Sequence, residues 1–206
     1  MAMCKLNRVE KARKAQGKCE RCQTPIEAGS AYRWWKGRYT SKHIRCMKSS
    51  CSPQPWELET NPLRQEAMQG STAHENATSS VDDAATAATY LREAIGIAES
   101  LAEQLNERVS SWESTNLENS SQAEACKTSA EEFESYVVEA ESIADELEAM
   151  DAPPTADDVD ANDYVNDDDP EQSAEDALAM LEQEYEAEVE SHVSGLPDWP
   201  ELDLGA

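Results

Sequence analysis

Cys19-Glu20-Arg21-Cys22 and, further along, His43-Ile44-Arg45-Cys46-Met47-Lys48-Ser49-Ser50-Cys51 decide how the first quarter of this 206-residue chain folds. Two thiolates at C-x2-C spacing fit a tight knuckle that presents both sulfurs to one tetrahedral ion. Pro25 and Gly29 punctuate the turn behind it. The second cluster supplies more ligands than the remaining two places need. Cys19, Cys22, Cys46 and Cys51 form a closed four-thiolate set that needs no imidazole. The rival set, C-x2-C with H-x2-C, uses His43 and leaves Cys51 spare. Either set holds one structural Zn2+. A module of about fifty residues buries too little surface to fold unaided, and zinc supplies on the order of 10–16 kcal/mol to small finger peptides. Thiolates fill the site and no H-x-E or H-E-x-x-H arrangement accompanies them, so no catalytic metal is expected. Cys4 and Cys126 lack partners at metal spacing and read as ordinary residues.

Working outward, Ala31-Tyr32-Arg33-Trp34-Trp35-Lys36-Gly37-Arg38-Tyr39 lies between the two clusters. Its alternation predicts a β-hairpin turning at Lys36-Gly37, with one packed face and one charged face. Charge marks the limits of this head. Residues 1–52 carry thirteen Lys and Arg against three acids, a net +10, while the rest of the chain carries −36 and the whole −26. So much self-repulsion argues against one compact core and for a basic head joined to an acidic body. The N-terminal stretch has no apolar core of a secretory signal, and no segment is apolar enough to span a bilayer. A protein of a reducing cytoplasm with no membrane partner is expected, where cysteines ligate metal before they form disulfides.

Three stretches of the head carry a resemblance: Arg8 to Cys22, Gly29 to Lys36, and His43 to Pro53. The head resembles a family of tailed-bacteriophage proteins that share this N-terminal motif and a long, acidic, helical remainder. That resemblance covers about sixty residues and implies a phage protein working in the host cytoplasm. A looser similarity is to the zinc finger of poly(ADP-ribose) polymerases and a eukaryotic DNA ligase, which recognises DNA breaks. That finger's C-x2-C and H-x2-C ligands match Cys19, Cys22, His43 and Cys46. The loop here is shorter, and Cys51 has no counterpart in it.

The expected fold is mostly α: an N-terminal β-hairpin zinc finger, a long antiparallel helical hairpin of coiled-coil type, and a third acidic helix. Residues 1–56 form the basic module, and 57–80 a linker with a possible short helix from Pro62. Within it, 70–80 reads as loop with His74 in solvent. From Val81 apolar residues recur at steps of three and four: Ala84, Ala88, Leu91, Ile95, Ala98, Ala102, Leu105, Val109, Trp112. After a polar break the pattern resumes at Ala123, Cys126, Ala130, Phe133, Val137, Ala140, Ala144 and Leu147. Residues 81–150 therefore predict the hairpin, closing within one chain or between two. Residues 151–170 are too charged and too poor in apolar groups to order. A helix over 171–194 places Ala174, Leu178, Leu181, Tyr185 and Val189 on one stripe, with His192 capping its end. Residues 195–206 read either as a tail that packs Trp199 or as an acidic docking motif.

Two functions follow. In the first, Lys11, Arg13, Lys14, Arg33, Trp35, Lys36, Arg38, Lys42 and Arg45 contact nucleic acid through phosphates and stacking, while the acidic body binds a partner or masks the head. In the second, the finger is only structural. The acidic helices then serve as an adaptor or nucleic-acid mimic toward a host or phage protein. No Gly-rich phosphate loop, nucleophile–base pair or open metal site points to an enzyme.

Overall fold

The computed structural model describes residues 3–37, 41–155 and 170–205, the side chains of 170–174 excepted. The chain is mostly helical with a small N-terminal antiparallel sheet. It divides into two compact units, Met1–Met68 and Gln69–Ala206. The helix that runs Pro62–Ser79 passes from the first into the second. Among the described residues, no helix is long and apolar enough to cross a membrane.

The first unit holds β1 (Asn7–Val9), β2 (Gly17–Lys18), β3 (Pro25–Ile26), β4 (Tyr32–Lys36) and β5 (Lys42–Cys46). β1, β4 and β5 form one antiparallel sheet in the order β1-β4-β5; β2 and β3 form a two-stranded ribbon. The hairpin predicted over Ala31–Tyr39 is displaced. Tyr32–Lys36 is one whole strand, paired from Tyr32↔Cys46 to Lys36↔Lys42, and Arg38 and Tyr39 lie outside the described residues. Five strand residues on each side bury more than the short hairpin would, so the longer pairing wins. The packed and charged faces are also less segregated than the alternation suggests. Trp34 and Trp35 are neighbours, so they must point to opposite faces. Tyr32, with Trp34, Ile44 and Cys46, joins a core around Cys19, Ile26 and Cys51, while Trp35 lies on the other face.

The unit extends beyond the predicted limit at residue 56. A short helix α1 (Pro55–Leu58) is tied back by the N–H of Cys4 to the Leu58 carbonyl at 2.6 Å and by a bridge between Met3 and Glu59. The helix expected from Pro62 is longer than anticipated and runs through most of the stretch read as loop: α2 spans Pro62–Ser79, with Asn61 Oδ1 accepting the Leu63 N–H at 3.0 Å.

In the second unit α3 (Ala84–Ser110) and α4 (Ser121–Ala149) pack antiparallel. Arg92 Nε donates to Glu148 at 2.7 Å near one end, and Asn106 Nδ2 to Glu134 at 2.8 Å nearer the other. Asp83, not Val81, opens α3, its carboxylate accepting the N–H groups of Ala85 and Thr86 at 3.0 and 3.3 Å. Most expected seam residues are buried, but a further residue one position before the seam is buried too: Ala87, Ala94 and Leu101 on α3, Ser129 and Tyr136 on α4. A two-helix seam leaves those positions exposed, so further elements cover them. On α4 the C-terminal segment does so: the Asp203 N–H donates to Ser129 Oγ at 3.0 Å, and the Trp199 ring lies 5.0 Å from that of Tyr136.

His74, expected in a solvated loop, is half-buried in α2 with Nδ1 3.0 Å from the Tyr136 hydroxyl. A last helix α5 (Pro170–Ser194) packs on α4 and buries Val189 and Val193, and Tyr185 Oη accepts the Ala84 N–H at 3.0 Å. His192 lies in the last turn of α5, where it was expected, and its Nδ1 is also 3.0 Å from Glu146 on α4. The expected disordered stretch lies largely outside the described residues, as does the side chain of Ala174.

Candidate metal centre

The ribbon β2–β3 exists to turn the chain at Cys19–Cys22. The Cys19 N–H donates to the Thr24 carbonyl and the Gln23 N–H to the Cys19 carbonyl, both at 2.9 Å. The second bond requires Gln23 to take φ 58°, the left-handed conformation that favours glycine. The Glu20 N–H then donates to the Ile44 carbonyl at 3.1 Å, stitching the knuckle to β5 two residues before Cys46. Beyond the strand a 3-10 turn over Ser49–Cys51 brings back the fourth sulfur, with the Cys51 N–H bonded to the Lys48 carbonyl at 3.1 Å.

These elements gather Cys19, Cys22, Cys46 and Cys51 so that all four sulfurs lie within 4.8 Å of one another. Cys22 and Cys46 are 3.6 Å apart. A tetrahedral Zn–S distance near 2.3 Å implies sulfur–sulfur edges of about 3.8 Å, so the donor set fits one such ion with little contraction. Cys19 and Cys51 are buried, Cys46 is half-buried and Cys22 is open. His43 stands apart from this set. Its Nδ1 lies 3.1 Å from Glu20 Oε2 and its ring stacks on Trp35 at 5.2 Å.

The thiols are electrostatically unequal. The Thr24 hydroxyl, 3.2 Å from Cys22 Sγ, and the Thr24 N–H pull Cys22 down to about 6. Burial pushes Cys19 up, but backbone N–H groups of Cys22, Cys46 and Arg21 outweigh it and leave Cys19 lowered. Burial pushes Cys51 up to about 12, with the neighbouring thiols adding to it. Backbone amides aimed at sulfur favour thiolate, the form that ligates metal. Thr24 and Arg21 were not among the expected site residues. The polar position two residues after the knuckle was the signal for Thr24.

The basic residues fall into two groups. Register places Arg8, Arg33 and Arg45 side by side across the three strands. Like charges directly opposite repel, and each here is drawn to its own acceptor. Arg8 pairs with Glu10 at 2.7 Å and Arg45 with Glu57. Arg33 donates to Ser52 Oγ and, at 3.0 Å, to the Met47 carbonyl. With Arg21, which donates to the Ser52 carbonyl at 3.2 Å, Arg33 clamps the chain around Cys51. Arg33 and Arg45 are therefore internal braces, and Trp35, 2% exposed beside the Arg45 guanidinium, offers no ring face to a base. These three depart from the expected nucleic-acid surface. Lys11, Arg13 and Lys14 are exposed and line one groove of about 520 Å3 with Val9, Gln16 and Tyr32. Lys36 is exposed at the end of the hairpin, as is Lys42, whose Nζ sits 4.7 Å over the Trp34 ring. Arg38 lies outside the described residues.

No protein-family model, curated protein or solved structure matches this chain.

Proposed function

We propose that the protein is a non-catalytic binding protein whose head, closed by one structural Zn2+, contacts nucleic acid phosphates. The groove of Lys11, Arg13 and Lys14 carries this reading, because it gathers three exposed cations beside Tyr32 on a head of net +10. Zinc is the ion of choice for four thiolates at tetrahedral reach, and such a site has no open position for a substrate. Four thiolates around Zn2+ leave a net charge of −2, which the guanidinium braces Arg21 and Arg33 partly offset. The helical half serves as an antiparallel coiled-coil platform for partners.

Phosphate contacts made mainly by lysine and arginine give weak, sequence-tolerant binding that falls with salt. The test is a titration of a labelled oligonucleotide with the full chain at several salt concentrations. Five neutralised phosphates would give a slope of log K against log salt near −3.5 to −4.5. Changing Lys11, Arg13 and Lys14 together to Ala should weaken binding at least tenfold and flatten the slope by about two to three. No binding at low salt, or a triple variant that binds as the parent does, overturns the reading.

A further inference from the structure

We infer that the outer face of α3 and α4 is a docking groove for a basic amphipathic helix of another protein, independently of what the head does. The groove measures about 1000 Å3, with Glu99, Glu103 and Glu107 along one edge and Glu134, which accepts a hydrogen bond from Asn106, on the other. Its floor is apolar: Ala102, Val137 and Val138, the last 70% exposed.

Three observations point to the occupant. Glu99, Glu103 and Glu107 follow one another at four-residue steps, roughly 6 Å apart on one helix face. Like charges at this spacing destabilise a helix, yet among the described residues no cation pairs with any of the three. A ladder of that kind is complementary to a row of Lys or Arg on a second helix. The seam is also unfinished here. Val137 lines the groove at a seam position but is only half-buried, whereas Leu91, Ala98 and Leu105 are fully enclosed. Finally, this face is the one the chain's own C-terminal segment leaves free. Val138 lies about 200° round α4 from Tyr136, against which Trp199 packs. α5 is bonded near the far end of the hairpin, at Ala84 and Glu146.

From Glu99 to Ser111 the groove spans roughly 18 Å, about three turns of a docked helix. That length accommodates apolar anchors at i, i+3 or i+4, and i+7, the usual reading of a helix laid in a groove. The cations flanking those anchors would meet the glutamate edges, fixing orientation and rate of encounter.

The experiment uses the full chain and a labelled eighteen-residue Leu/Lys peptide of amphipathic helical pattern, followed by fluorescence anisotropy. A second peptide of the same composition has its pattern scrambled. The groove variant E103K/E107K/V138N should bind at least tenfold more weakly than the parent protein. The control variant E182K/E186K changes net charge equally, on exposed α5 positions, and should lose less than threefold. All these side chains are exposed, so the far-UV circular dichroism of both variants should match the parent. Equal losses in the two variants, or equal binding of the scrambled peptide, would reduce the effect to net charge and overturn the inference. A parent protein that self-associates in sedimentation, with the groove variant monomeric, would make a second copy the occupant and overturn it as well.

Discussion

A Cβ atom placed on Gly70 would fall against Cη2 and Cζ2 of the Trp199 indole and lie 2.9 Å from Cγ2 of Ile97. The absence of a side chain at Gly70 is thus what lets the C-terminal segment close over α2, where Trp199 also meets Phe133 at 5.5 Å. Gly70→Ala gains about 1 kcal/mol of helix propensity but must displace a packed ring, which typically costs 1–3 kcal/mol. A net loss of about 1 kcal/mol is expected in denaturant melts of the helical signal. Trp199→Ala should lose about 2 kcal/mol or more. In the Trp199→Ala background Gly70→Ala should no longer destabilise, and simple additivity of the two would refute the contact.

The metal centre predicts one ion per chain by elemental analysis. Changing Cys19, Cys22, Cys46 or Cys51 singly to Ser should each lower retention during dialysis against a chelator. His43→Ala should keep the ion, because that imidazole is engaged by Glu20 and Trp35. Loss of the ion in His43→Ala with full retention in Cys51→Ser would reverse the ligand assignment.

Gln23 tests the knuckle's backbone. Its φ of 58° is strained for a side chain, by about 1–2 kcal/mol for most residues. Gln23→Gly should hold the metal at least as well as the parent, and the β-branched Gln23→Val should release it faster to a chelator. Equal release from all three proteins would show that the turn does not govern the site.

His74 gives the second unit a pH dependence. Burial lowers its pKa from 6.5, with Asp198 and Glu75 opposing the shift. A base whose folded pKa is depressed binds protons better when unfolded, so its contribution is complete above pH 6.5 and is lost as pH falls through the folded value. Acid also relieves repulsion among the many carboxylates, so the informative quantity is a difference between proteins. Between pH 7.5 and 5 the parent should lose stability relative to His74→Gln. Parallel pH profiles would remove His74 from this role.

The seam residues and the four cysteines were legible in the sequence because their spacing is dictated by one helix period and one tetrahedral ion. The helical character of residues 70–79 was not. Gly70, Ser71, Thr72, Asn76 and Thr78 are weak helix formers, and local preference reads them as loop. Yet Leu63, Ala67, Gly70, Ala73 and Ala77 are all buried and follow helical spacing. The residues were too small to register as an apolar stripe, though small size is what close packing under Trp199 demands. Likewise Arg33 and Arg45 counted as surface charge in the sequence, and only strand register reveals that each is spent on a neighbour.

The separation of the ligands has a kinetic consequence. Cys22 and Cys46 are 24 residues apart in the chain, so uniting the two cysteine pairs closes a loop whose entropy costs on the order of 3 kcal/mol. In the unfolded chain each pair can seize an ion of its own, and metal bound there opposes folding by mass action. Two half-filled pairs cannot merge until one ion leaves. Refolding of the reduced protein should accordingly be fastest near one equivalent of metal and slow again in excess, so the ion that completes the head would, when oversupplied, delay its assembly.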